Sequence, residues 1–154
     1  MKSPVSDRIC ELGRFGQKTG AGYFRYEKGD RTPIPDPDVE KIITEVAAEQ
    51  GTVRRHIAED EIRERLLYPM VNEGAKILDE KIAIRPSDID VIWVYGYGWP
   101  VYRGGPMFWA DSIGLKTLKS RMLEFKKQSG DEFWTPAPLL DRLAEAGKGF
   151  LDPQ

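Results

Sequence analysis

Apolar residues in this 154-residue chain return every three or four positions in one segment after another, and nowhere do they alternate with polar ones over the length of a strand. That period is the mark of helices turning one face toward a core, and it restricts the chain to an all-α class. Val39, Ile42, Ile43 and Val46 form one such stripe, entered at Asp36-Pro37 and closed at Gly51. An aspartate can cap free amides there, and proline at the first helical position gives up only an amide that had no partner. A longer stripe of Ile62, Leu66, Leu67, Met70, Val71, Ala75 and Leu78 starts near Ala58 and marks a central helix. Pro69 falls inside it, and the lost hydrogen bond and ring clash predict a kink. Further helices are expected from Ser6 to Leu12, from Pro86 to Gly96 or Gly98, and from Pro106 to Asp111. Two more follow Leu115, Leu118, Met122 and Phe125, and Leu139, Leu140 and Leu143 as far as Gly147. The expectation is a compact bundle of six to seven helices. Ser87, Asp88 and Asp90 suit the positive end of the helix that Pro86 opens.

The clearest break is Gly29 to Pro37, where three prolines stand among charges and read as a semi-rigid linker. The chain therefore divides, on this reading, into an arm and linker over residues 1–35 and a helical domain over 36–154. The length suits one compact core.

Composition removes several classes of function. A net charge of −2 offers no general attraction to a phosphate backbone, and no local basic stripe replaces it, so nucleic acid is not an expected partner. No apolar run is long enough to span a bilayer. The single cysteine, Cys10, excludes an intramolecular disulfide and suits a reducing compartment, with the cytoplasm as the default expectation. With only His56 and Cys10 as softer ligands, no metal site is expected. Gly13, Gly16, Gly20 and Gly22 do not lie between a strand and a helix, and Gly96-Tyr97-Gly98 runs at once into Pro100, so neither builds a dinucleotide loop. The acids Glu59, Asp60, Glu61 and Glu64 offset a helix dipole, and Arg54, Arg55 and His56 read as a solvated loop. Asn72 and Glu73, in the middle of the central helix, either face a pocket or bond a neighbouring loop. The aromatic concentration of Trp93, Tyr95, Tyr97, Trp99, Tyr102, Phe108 and Trp109 could line a pocket or an interface, with core packing expected for most of it.

Taken in order, Glu64-Arg65-Leu66-Leu67-Tyr68-Pro69-Met70-Val71-Asn72-Glu73-Gly74, Ser87-Asp88-Ile89-Asp90, Gly96-Tyr97-Gly98-Trp99-Pro100, Gly105-Pro106-Met107 and Asp111-Ser112-Ile113-Gly114-Leu115 resemble the C-terminal helical domain of 3-hydroxyacyl-CoA dehydrogenases. The stretch from Gly13 to Tyr23 resembles the tail that closes a preceding copy of that domain in multifunctional fatty-acid oxidation enzymes, which gives residues 1–35 their origin. The resemblance implies a parent that oxidises an L-3-hydroxyacyl-CoA with NAD. In that parent a Rossmann domain carries NAD and a His-Glu pair, and the helical domains shape the acyl-CoA cleft and pack on one another. It also implies an asparagine directly before the Arg-Leu-Leu of the central helix in the active copy, and here that place holds Glu64. A carboxylate cannot donate the hydrogen bond that an amide can, so the chain reads as the second, non-catalytic repeat, with no catalytic residue and no NAD of its own. Its expected partners are the Rossmann domain and first helical repeat, the parent's acyl-CoA, and a second copy through its helices. Lys18, Asn72, Trp99, Tyr102 and Arg103 are the candidates for substrate pocket or interface. The rival readings are a helical protein-interaction module and a free-standing acyl-CoA binder, which calorimetry with acetoacetyl-CoA separates.

Overall fold

The structure is a computed structural model and describes residues 4–130 and 132–152. Among these residues it holds seven α-helices, three short 3-10 turns and no strand beyond isolated bridges, as the helical periodicity requires. The chain forms two compact units, Met1–His56 and Ile57–Gln154. That division falls between His56 and Ile57 and not after residue 35. The second helix packs its apolar face with the first, a long-range pairing that the prolines of the linker do not reveal.

The first unit contains α1 (Pro4–Glu11) and α2 (Pro37–Glu49). Ile9 of α1 joins Val39, Ile42 and Val46 of α2 in a small buried cluster. Between them the glycine-rich chain makes a 3-10 turn at Gln17–Thr19 and three isolated antiparallel bridges, Gly16 with Ala21, Ala21 with Arg25, and Arg25 with Ile34. Asp36 caps α2 by accepting from the amide of Asp38 at 3.1 Å, and the same buried carboxylate receives the Arg14 guanidinium. Arg14 also donates to the carbonyl of Gly22 at 3.0 Å, so one arginine ties the glycine loop to the start of α2.

Hydrogen bonding from Arg14 holds the Asp36 carboxyl below the ordinary aspartate range, with smaller help from the Asp38 amide and against the effect of burial. The folded value lies below the unfolded one, so this stabilisation is complete above the ordinary value near about pH 4 and is lost as pH falls through the depressed value. The amide resonances of Val39, Ile42 and Val46 should therefore lose their dispersion in acid before those of the second unit do. Asp36→Asn should remove that difference; an acid transition of α2 unchanged by the substitution would refute the assignment.

The second unit is built on α3 (Glu59–Asp79), with α4 (Pro86–Gly96), α5 (Pro106–Ile113), α6 (Leu115–Ser129) and α7 (Pro138–Ala146). Helix α3 contacts α4, α5 and α7, while α6 contacts α5 and α7. Val71, Met107, Leu118, Met122, Phe125 and Leu140 are all fully buried where these helices meet. The chain stays helical through Pro69, which leaves the carbonyl of Arg65 without its usual donor. Gly74 is what allows α5 close to α3: a Cβ there would stand 2.6 Å from Met107 Sδ. Glycine inside a helix costs about 1 kcal/mol relative to alanine, and here that cost is offset by the contact it permits.

Candidate functional site

Glu64 lies on the second turn of α3, and its carboxylate accepts from Nε of Arg121 on α6 at 2.7 Å. Arg121 donates a second time, to Glu124 at 2.6 Å, and its guanidinium stands 4.8 Å from the centre of the buried Phe125 ring. Arg65 approaches the same ring at 4.1 Å and donates to Glu61 and Gln128. The two carboxylates, Glu64 first, raise the Arg121 guanidinium further above its already high ordinary value, so it stays charged at every accessible pH. Beside this network Glu64, Lys116, Thr117, Ser120, Arg121 and Glu124 line an open groove of about 430 Å³. Its floor is salt-bridged, and a carboxylate committed to an arginine is neither a free base nor a hydrogen-bond donor.

Asn72 faces the chain itself. Its Nδ2 donates to the carbonyl of Thr135 at 3.0 Å and its Oδ1 accepts from the amide of Ala137 at 2.7 Å, while the residue is only 3% exposed. Trp99 is buried between Trp93 and Trp109, with ring centres 6.4 and 6.0 Å away, and its indole N–H has no acceptor among the described residues. Tyr102 and Arg103 lie on the surface in a 3-10 turn, Val101–Arg103, with the Arg103 guanidinium 5.6 Å from the Tyr102 ring centre. Lys18 belongs to the first unit, where it stands 5.3 Å from the Phe15 ring and lines a groove of about 580 Å³ with Gln17, Tyr26 and Glu27. Of the five candidates, then, the structure brings together Trp99, Tyr102 and Arg103 on one segment and commits Asn72 to the chain's own backbone.

The aromatic concentration divides by residue type, against the expectation that most of it is core. Trp99 is buried and Trp93 and Trp109 pack partly against the core, but Tyr95, Tyr97, Tyr102 and Phe108 are at least half exposed. The roles of the acids are also reassigned. Asp88 does serve α4, accepting from the amide of Arg85 at 3.0 Å and pairing with its guanidinium. Asp90 instead caps α5: its two oxygens accept from the amides of Met107 at 2.7 Å and Phe108 at 3.1 Å. Helix α5 opens on Gly105-Pro106, which offers no capping side chain of its own, and that gap is the signal the sequence carried. Burial pushes the Asp90 carboxyl up while the two amides pull it down. Asp111 likewise accepts from the amides of Phe150 and Leu151. Among the described residues no three of His, Cys, Asp and Glu come together as metal ligands, and no helix is long and apolar enough to cross a membrane.

Asn72, Asp88, Asp90 and Asp111 are thus engaged in caps and cross-links within the helical unit. The chain belongs to the 3-hydroxyacyl-CoA dehydrogenase C-terminal domain family, whose family model matches residues 62–149. It is 45% identical over 147 residues to the peroxisomal bifunctional enzyme of Cavia porcellus, a match covering 94% of this chain and 20% of that protein. The peroxisomal fatty acid beta-oxidation multifunctional protein of Oryza sativa subsp. japonica is 36% identical over 146 residues, covering 92% of this chain and 20% of that protein. Among solved structures, the dehydrogenase part of multifunctional enzyme 1 from C. elegans superposes with a TM-score of 0.68 at 26% identity, covering 92% of this chain and 33% of that chain. The chain thus spans about a fifth of the length of the curated relatives it matches. These relatives are named peroxisomal, and that overturns the cytoplasmic expectation. Absence of disulfides reports on pairing of thiols, whereas organelle import follows a receptor-read address that composition does not record.

Proposed function

We propose that this chain is the bracing, non-catalytic helical repeat of a peroxisomal multifunctional enzyme. The parent reaction is NAD-dependent oxidation of an L-3-hydroxyacyl-CoA to the 3-oxoacyl-CoA. The observation that carries the proposal is the Glu64–Arg121 pair. At the place where the resemblance implies an amide donor toward substrate, this chain has an acceptor, and that acceptor is already bound to a cation on α6.

No NAD site is proposed among the described residues. Gly13, Gly16 and Gly20 all have positive φ and serve turns and isolated bridges, without the strand-to-helix turn whose amides would meet a pyrophosphate. No step of hydride transfer is therefore assigned to this chain, and the Rossmann domain and first helical repeat of the parent are its proposed partners. The segment from Gly13 to Tyr23, within residues 1–35, is the proposed tail of that preceding repeat. Among the candidate residues, Tyr102 and Arg103 are proposed for an interface, Lys18 for a contact of the first unit, and Asn72 and Trp99 for holding the framework.

The purified chain, given acetoacetyl-CoA and NADH, should leave NADH absorbance constant over hours and give no heat with NADH in calorimetry. In the full-length protein, Glu64→Asn should leave kcat within about twofold, as expected of a side chain engaged by Arg121 in a structural cross-link. Turnover by the isolated chain, or a collapse of kcat in the full-length variant, would refute the proposal.

A further inference from the structure

Helix α2 ends at Glu49, and its last turn is closed by the amides of Gly51 and Thr52, which donate to the carbonyls of Ala48 and Ala47 at 3.1 and 2.8 Å. Helix α3 begins only at Glu59. Residues 52–58, from Thr52 through the basic pair Arg54-Arg55 to Ala58, belong to no helix, turn, bend or bridge. Every one of them is exposed, Val53 to 87%, and no proline stands among them. The Arg54 guanidinium donates to Thr44 Oγ1 at 2.9 Å, an exposed bond to a neutral hydroxyl that a competing carboxylate would displace.

An endoprotease takes its substrate as an extended strand, pairing with the main chain along its cleft, and one that reads a basic residue does so with a carboxylate at the base of a side-chain pocket. A helix or a closed turn enters such a cleft only after it opens. Outside 52–58, only Arg14, Arg31 and Lys148 of the described lysines and arginines also fall outside helix, turn, bend and bridge. Each of these is held. The amide of Arg14 donates to the Ile9 carbonyl at 3.2 Å and that of Lys148 to the Leu143 carbonyl at 3.0 Å. Arg31 lies in a loop whose ends, Arg25 and Ile34, exchange two main-chain bonds of 2.9 and 3.0 Å.

We propose that Arg54-Arg55 is a processing site for an endoprotease of basic specificity, and that hydrolysis after Arg54 or Arg55 leaves two folded products. Water adds its hydroxyl to the arginine carbonyl carbon, the C–N bond breaks, and the departing nitrogen takes the second hydrogen of the water and leaves as an amine. The cut removes nothing from a helix, since α2 has ended and α3 has not begun. The two compact units divide between His56 and Ile57, beside the scissile bond, and each holds a buried cluster of its own. Ile9, Val39, Ile42 and Val46 form one, while Val71 and Phe125 belong to the other.

Trypsin at a low ratio to the 154-residue chain in native buffer is the probe, with intact-mass spectrometry to identify the first products. Those products should end at Arg54 or Arg55. Sub-denaturing urea should change the rate of that cut by less than about twofold, measured against cleavage of a short arginine peptide in the same urea, because no helix has to open first. Arg54→Gln combined with Arg55→Gln should slow the loss of intact chain on the order of tenfold, since the remaining sites wait on local unfolding. The larger product carries all four tryptophans and should keep the urea midpoint of the uncut chain's fluorescence. First products ending elsewhere, an unslowed double variant, a first cut accelerated several-fold by urea, or a larger product without that midpoint would each overturn the proposal.

Discussion

Gly105→Ala will cost the second unit about 4 kcal/mol, from two causes that add. Gly105 has φ 100 and ψ 167, a backbone region that residues with a Cβ do not enter without about 1–3 kcal/mol of strain. The added methyl would also stand 2.3 Å from Asp90 Cβ and 2.4 Å from Asp90 Oδ1, inside any tolerable contact. Asp90 must then move, and moving it breaks the bonds to the Met107 and Phe108 amides, each charge-assisted bond contributing about 1.5–3 kcal/mol. Against a total stability of about 5–15 kcal/mol, that is a large share. Gly98→Ala is the control. It has φ 74 but nothing within 4 Å of the added carbon, so it carries a positive-φ strain of its own without the collision. All four tryptophans lie in the second unit, so urea unfolding followed by tryptophan fluorescence reports this unit alone. Midpoints shifted equally by the two substitutions would show that the Asp90 contact contributes nothing.

The contrast between these glycines also shows where a sequence stops being legible. Helix extents are local, and they were readable: the stripe entered at Asp36-Pro37 and closed at Gly51 became Pro37–Glu49, and the one begun near Ala58 became Glu59–Asp79. Periodicity and the proline and glycine signals act within one or two turns, which is why they suffice for helices and for the all-α class. Asp90 capping a helix seventeen residues away, Asn72 bonding residues more than sixty positions downstream, and α2 packing with α1 are properties of the fold. No window of sequence contains both partners. The aromatic run misled for a related reason. Hydrophobicity alone does not decide burial, and tyrosine, with an apolar ring and a polar tip, is stable at a surface, so Tyr95, Tyr97 and Tyr102 stay exposed while Trp99 of the same run is buried. Glu64 was the reverse case, because its departure from the resembling pattern was visible at once while its partner Arg121 was not.

Asn72→Ala will destabilise the second unit by about 3–4 kcal/mol, and the aspartate substitution at the same place will show why. The segment 132–137 crosses α3 and delivers Ala137 as the residue that precedes α7. Ala137 is 1% exposed, so its amide has no access to water, and Asn72 Oδ1 at 2.7 Å is its partner. Truncation strands that donor, at about 1–3 kcal/mol, removes the bond to the carbonyl of the exposed Thr135, and opens a small void against α7. Asn72→Asp keeps an acceptor for Ala137 but sets a second oxygen against the carbonyl of Thr135, where the amide formerly donated. A buried carboxylate in that position favours its protonated form, because only then can it donate to Thr135. Its folded-state pKa should accordingly be raised above the unfolded one, so the penalty is small in mild acid and grows as pH rises past about 4 toward neutrality. The alanine variant has no such group, and its deficit should not vary with pH over that span relative to the parent chain. Urea midpoints of both variants at pH 5 and pH 8 test the claim. A pH-independent deficit for the aspartate variant, or an alanine variant as stable as the parent, would mean that Asn72 does not hold the 132–137 segment to α3.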